Sequence, residues 1–102
     1  NPMNPKGDAN NWLSCMTIAR ESRVTPDMVM DALQEKCNAE TRPIWKPMHM
    51  QPVFADCDFF AHNQDGSSVG TDIFERGVCL PSDIKNTEED MEMIIRTVKE
   101  LF

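Results

Sequence analysis

Apolar residues recur along this 102-residue chain in short, separately punctuated runs, and the period of each run predicts an element. Trp12 to Ile18 (WLSCMTI) mixes aromatic, β-branched and apolar residues after a polar, Asn-rich lead, and predicts a first strand buried on at least one face. Thr25, Pro26 and Asp27 supply a capping hydroxyl, a proline suited to the first helical position and an acid favourable to the helix dipole. A helix is expected from there to about Cys37, because Val29, Ala32, Leu33 and Cys37 share one face. Ile44 and Trp45 suggest a short edge or interrupted strand between Pro43 and Pro47. Pro47 and Pro52 then argue against a continuous helix, so Met48 to Phe54 reads as an extended or turning loop. Asp56 to Gly66 reads as surface loop. Ser68 caps a short helix with Val69, Ile73 and Phe74 that stops at Gly77, and Val78 to Leu80 forms a strand closed by Pro81. Thr87 to Asp90 has the form of a capping box, followed by Met91, Ile94, Ile95, Val98, Leu101 and Phe102. Glu92 is spaced to pair with Arg96 on the outer face of this last helix.

The order strand, helix, strand, loop, helix, strand, helix predicts an α/β or α+β domain. Its sheet should be small, mixed or antiparallel, of about three strands, with helices packed mainly on one face. Residues 1–102 are enough for one domain with one modest core. Strand order is not fixed by the pattern.

Charge changes the list of partners. With 17 acidic against 10 basic residues the formal charge is -7, a field that repels phosphate backbones, so nucleic acid is not an expected partner. One phosphate group can still be held by a local pair such as Arg42 and Lys46. Cys15, Cys37, Cys57 and Cys79 are widely spaced, which suits a reducing cytoplasm better than a disulfide scaffold. No apolar run approaches the ~20 residues of a membrane span, and the polar start NPMNPKGDANN lacks a signal-peptide core. That start also lacks an initiator methionine and reads like the interior of a longer chain. A soluble, cytoplasmic protein without membrane association is the expectation.

Candidate chemistry is concentrated in one place. The glycine-rich phosphate loop, the nucleophile elbow and the metal-binding helix are all missing from the motif inventory. Asp56, Cys57, Asp58 and His62 include zinc donors but do not make a four-ligand set, so no metal is expected. Cys15 and Cys79 fall in predicted strands, where thiols are usually inert, and Met16 and Met91 read as core filling. Arg42 to His49, in contrast, gathers a guanidinium, an indole, an ammonium and an imidazole, and Met48 and Met50 flank His49 in a proline-bounded loop. Arg and Lys hold phosphate oxygens, His donates a hydrogen bond, and Trp or Met packs on a sugar or base ring. The same residues have a structural reading: Trp45 as a core anchor, Arg42 in a surface ion pair, His49 satisfying a loop carbonyl.

Three blocks resemble the DegT/DnrJ/StrS nucleotide-sugar aminotransferases, most closely those acting on UDP-linked amino sugars. They are NNWLSCMTI at Asn10 to Ile18, RPIWKPMHMQPVF at Arg42 to Phe54, and DIFERGVCLPSDIKNTEEDMEMI at Asp72 to Ile94. The resemblance implies the C-terminal small domain of a fold-type I aminotransferase, with pyridoxal 5'-phosphate held by a large domain that this chain lacks. It implies no catalytic and no cofactor-binding residue here, and an inactive fragment on its own. The domain would supply a wall of the substrate cleft, often to the neighbouring subunit of a homodimer, for a nucleotide-sugar substrate and an amino donor, glutamate by family expectation. Product amino sugars would serve bacterial surface polysaccharide or protein glycosylation. Carried over residue by residue, Lys46 and His49 fall to the diphosphate or hexose hydroxyls, and Trp45 and Met48 to apolar packing. Arg42, Asn10 and Trp12 belong to the matched blocks. Asn11 replaces the family's usual arginine, and Asp83 the usual glycine after L-P-S. The alternative is a self-standing acidic α/β interaction or ligand-sensing module without catalysis.

Overall fold

The structure is a computed structural model that describes residues 5–10 and 12–102. Strands β1 (Ser14–Thr17), β2 (Arg42–Pro43) and β3 (Gly77–Leu80) form an antiparallel sheet in the order β1-β3-β2. Helices α1 (Pro26–Cys37), α2 (Val69–Arg76) and α3 (Glu88–Lys99) complete the expected order. The sheet is antiparallel throughout, with Val78 opposite Met16 on one side and Pro43 on the other.

The central strand comes last but one in the chain, and it owes its place to burial. Val78 is fully buried and packs with Ile18, Val24, Val29, Leu33 and Ile94, so the core lies between one face of the sheet and the apolar stripes of α1 and α3. Burying each such aliphatic side chain stabilises the fold by roughly 1.5–3 kcal/mol. Met16 and Met91 pack against this cluster, in keeping with their reading as core filling. Thr97 is the buried polar residue of α3, and its hydroxyl is met by the Cys37 thiol across the helix pair at 3.3 Å.

Local chemistry sets the helix ends where the sequence suggests. Thr25 Oγ1 accepts from the Met28 amide ahead of α1, and Ser68 accepts from the Thr71 amide ahead of α2. Thr87 and Asp90 cap one another reciprocally at α3, and the Thr87 hydroxyl holds the Asp90 carboxyl below the usual carboxylate range. α1 ends on Asn38 in the left-handed conformation that asparagine tolerates.

Four expectations need correction. The first strand is shorter than Trp12 to Ile18, although the Ile18 amide still donates to the Arg76 carbonyl. The edge strand lies at Arg42–Pro43 rather than at Ile44 and Trp45, since Pro43 lacks only an amide that an edge position leaves unused. Ile95 and Phe102 are exposed, because the stripe Met91, Ile94, Val98, Leu101 already fills the helical face and leaves Ile95 on its flank. The ion pair on α3 is Lys36–Glu100, joining two helices, rather than Glu92–Arg96. Asn11 lies outside the described residues.

The opposite face of the sheet is organised by the junction of α2 and β3, which follow one another without a loop. A Cβ built on Gly77 would fall under 3.0 Å from Ile44 Cγ1 and from the Ile73 carbonyl oxygen, closer than real Cβ atoms approach. Next to it, Arg76 makes two parallel hydrogen bonds to Asp72, at 2.8 and 2.6 Å, and donates to the Ile18 carbonyl. Arg20 pairs with the same carboxylate.

Gly77→Ala is therefore expected to destabilise the protein by about 1–3 kcal/mol or more, read from the denaturant midpoint, because the carbonyl of Ile73 cannot move without unwinding α2. The Arg76 hydrogen bonds, with help from Arg20, hold the Asp72 carboxyl below its ordinary value of 3.8. A depressed folded-state value gives stability that is present above the unfolded-state range and is lost as pH falls through the folded value. Stability measured from about pH 5 down to about pH 2 should accordingly fall less steeply for Asp72→Asn than for the natural chain.

Candidate functional site

The loop from Pro47 to Cys57 is built from prolines and tight turns. Pro47 and Gln51 are extended, and each starts a short 3-10 turn, Met48–Met50 and Pro52–Phe54. The Gln51 side chain folds back to donate to the Lys46 carbonyl at 3.0 Å, closing the first turn over the residues of interest. The expected turning loop is thus present, with regular turns.

Of the seven sequence-derived candidates, five gather around the Trp12–Trp45 pair, while His49 and Met48 stand apart. Trp12 and Trp45 stand against each other with ring centroids 5.8 Å apart and planes tilted by 45°. Both are about two-thirds exposed (66% and 62%), so Trp45 is no core anchor. Trp45, Arg42 and Lys46, with Leu13, Ile44 and Phe74, line an apolar cavity of about 510 Å³ over the Gly77 and Cys79 face of the sheet. Asn10 supports this group indirectly, its side-chain oxygen accepting from the Trp12 amide at 3.2 Å, while Ser82 donates to the Trp12 carbonyl.

The two cations differ. Arg42 is paired with Glu40, as the structural reading of that residue holds, so much of its charge is already compensated. Lys46 is exposed and has no ion-pair partner among the described residues, which leaves its ammonium available to an anion at the cavity mouth. A wider hollow of about 760 Å³ lies beyond Trp12 and Arg42. Its rim carries Glu40, Asp83 and Asp90, three acids that would repel a phosphate.

His49 belongs elsewhere. Its ring stacks on Phe59 at 3.9 Å and its Nε2 meets the Thr71 hydroxyl at 2.9 Å, so it satisfies a side chain of α2 and not a loop carbonyl. Thr71 also reaches Met50 Sδ at 3.6 Å. A threonine hydroxyl has one hydrogen; directed at sulfur, it leaves the oxygen to accept the Nε2 hydrogen and leaves Nδ1 with a free lone pair. His49 opens onto a separate cavity of about 420 Å³ with Arg20, Asp72 and Glu75. Met48 is 60% exposed and lines neither of these cavities, and the Gln51 side-chain amide approaches its sulfur. Thr71 and Phe59 were not found by sequence reasoning. The cap at Ser68 was the available signal for Thr71, because it places that residue in the first turn of α2, at the end facing the loop.

A chain with this fold, in which Lys46 and Trp45 on one loop stand beside Trp12 ahead of β1, is similar to known proteins. The model of the DegT/DnrJ/EryC1/StrS aminotransferase family matches residues 1–99. The chain belongs to this family. It is also 38% identical over 96 residues to a Bacillus subtilis (strain 168) protein named "Putative pyridoxal phosphate-dependent aminotransferase EpsN". That match takes in 94% of this chain and 24% of the relative, so the chain spans about a quarter of the relative's length. Among the described residues no helix is long and apolar enough to cross a membrane.

The His49 geometry yields a direct test on this aminotransferase-family chain. In a double-mutant cycle of His49→Phe and Thr71→Val, folding stability should show a coupling of about 0.5–1.5 kcal/mol, the usual worth of one hydrogen bond. Additive effects would mean that the bond is absent in solution.

Proposed function

We propose that the chain is the C-terminal small domain of a pyridoxal phosphate-dependent aminotransferase that delivers an amino group to a keto nucleotide-sugar. Membership of the aminotransferase family supports the reaction class, and the name of the Bacillus subtilis relative supports the cofactor. The substrate class rests on one observation, the Lys46 ammonium, without an ion-pair partner among the described residues, at an apolar cavity lined by Trp45, against which Trp12 packs. A cation beside aromatic surface suits a ligand that carries a diphosphate on one side and a ring on the other.

Within this reading each residue has a distinct task. Lys46 draws the diphosphate to the cavity mouth as a mobile point charge. Trp45 and Trp12 offer ring faces for a sugar or base, and Met48, exposed outside both cavities, would add adaptable apolar surface only to a part of the ligand that reaches beyond them. His49, oriented by Thr71 and Phe59, presents Nδ1 to a hexose hydroxyl. Arg42, held by Glu40, contributes to the shape of the wall more than to its charge, and Asn10 fixes the backbone at Trp12.

The chain's own residues do not fit the role of cofactor holder. Pyridoxal phosphate is carried through a lysine amine and an acid paired with its ring nitrogen. Lys6, Lys36, Lys46, Lys85 and Lys99 are all exposed, and no lysine has the desolvated setting that lets an amine act as a nucleophile. The cofactor would therefore be held by the remaining three-quarters of a protein of the relative's length. A glutamate donor, a homodimer in which this wall faces the partner's cleft, and a place in polysaccharide or protein glycosylation complete the proposal.

In the whole enzyme, Lys46→Ala or His49→Ala should raise the KM for the nucleotide sugar while leaving the absorbance of the bound cofactor in place. For Lys46, loss of a charge-assisted hydrogen bond corresponds to about 1.5–3 kcal/mol, or on the order of a tenfold to hundredfold rise, and for His49, loss of a neutral one corresponds to about 0.5–1.5 kcal/mol, or roughly a twofold to tenfold rise. Unchanged kinetics in both variants would sink the site assignment while leaving the reaction class standing.

A further inference from the structure

Cys15 and Cys79 face each other across the β1–β3 pair, and both are free thiols. Their sulfurs are 3.5 Å apart. The kind of pair they form follows from the ladder. The Ile18 amide donates to the Arg76 carbonyl, which makes Ile18 and Arg76 a hydrogen-bonded pair in the same register. Hydrogen-bonded and non-hydrogen-bonded pairs alternate along antiparallel strands, so Met16 with Val78 is of the first kind and Cys15 with Cys79 of the second. In the second kind the Cα atoms lie about 4.5 Å apart and the side chains stand close, inside the Cα separation of about 4.4–6.8 Å that a disulfide spans. Rotation about the side-chain bonds, without movement of either strand, can bring the sulfurs together.

We propose that Cys15 and Cys79 are a reversible thiol–disulfide couple that staples β1 to the central strand when the protein meets a low-molecular-weight disulfide. The two sulfurs differ in access: Cys15 is half-buried, whereas Cys79 is buried beneath Pro43 and the apolar cavity wall. Cys15 thiolate therefore attacks the external disulfide first, forming a mixed disulfide and releasing one small thiolate. Cys79 then gives up its proton to solvent and attacks the Cys15 sulfur, forming the protein disulfide and expelling the second small thiolate. Two protein thiols lose two hydrogens and two electrons in all, and one external disulfide becomes two thiols. Burial, together with the neighbouring Cys15, pushes the Cys79 thiol up to about 11, so the second step is the slower one near neutrality and speeds up as pH rises. Closing a loop of this length also restrains the segment carrying Trp12 against the strand that neighbours Arg42.

The test uses the intact protein in glutathione buffers of increasing oxidised fraction, quenched with an alkylating agent and mapped by mass spectrometry. Cys57 is exposed and serves as the internal control for oxidation. The expected result is a peptide linking Cys15 to Cys79, its fraction rising with the oxidised glutathione and returning to zero with reductant. Cys79→Ser should trap glutathione on Cys15, and Cys15→Ser should leave Cys79 unmodified. Two results overturn the proposal: glutathione on Cys57 with both strand cysteines untouched, or a mixed disulfide that persists on Cys15 of the natural chain at pH 9, where the second step is favoured.

Discussion

A glycine with no room for a methyl group fixes how the two sides of this sheet meet. Gly77 begins the central strand directly after α2, and its missing side chain leaves the space that Ile44 occupies. Ile44 in turn lies between β2 and Trp45, so the contact sets both the edge strand and the start of the loop that carries Lys46 and His49. The core face depends on the same strand from the other side. Val78, one residue on, points into the cluster of Val29, Leu33 and Ile94, because successive side chains of a strand point to opposite faces. One backbone position thus couples the packed core to the candidate binding wall. A shift of β3 by one residue would bury Cys79 and Gly77 in the core and expose Val78.

Arg76 secures that register by chemistry that packing does not supply. A guanidinium presents its donors in a rigid fork, and here two go to Asp72 in the preceding turn of α2 and one to the carbonyl of Ile18, just after β1. The arginine thereby ties the end of a helix to the neighbouring strand at the place where the ladder stops. Burial works against both charges, and the paired hydrogen bonds, with Arg20 sharing the carboxylate from the solvent side, offset it.

Much of this was legible along the chain, and the reasons for the exceptions are physical. Capping hydroxyls and apolar stripes act within a turn or two, so Thr25, Ser68 and Thr87 mark the starts of all three helices correctly. The edge strand was misplaced by two residues because Ile44 and Trp45 have high strand preference, while tertiary contact with Gly77 and the Trp12 ring claims them instead. The loop at Arg42 to Phe54 was found as the place of candidate chemistry, but its division was not visible. Neighbours in sequence, Lys46 and His49 face different cavities, since the turn at Met48–Met50 rotates the imidazole toward α2. Partners more than twenty residues away, such as Thr71 for His49, leave no mark on local pattern. The facing thiols of Cys15 and Cys79 were likewise hidden, for strand order and register were not fixed by periodicity.

The net charge of -7 does not by itself argue against the anion site proposed for this chain. Exposed charges are largely screened beyond about 8 Å at physiological ionic strength, so what a phosphate meets is decided by the few groups around it. Several acids are already engaged: Glu40 with Arg42, Asp72 with Arg76 and Arg20, Glu100 with Lys36. Asp83 and Asp90 line the larger hollow beyond Trp12, together with the paired Glu40 and Arg42, so acids outnumber bases there. Lys46 lines the smaller cavity and has no ion-pair partner among the described residues. On the proposed reading, a negatively charged ligand would meet fewer acids at the smaller, apolar cavity than at the larger hollow, so the placement of the acids would matter more than the size of the hollow.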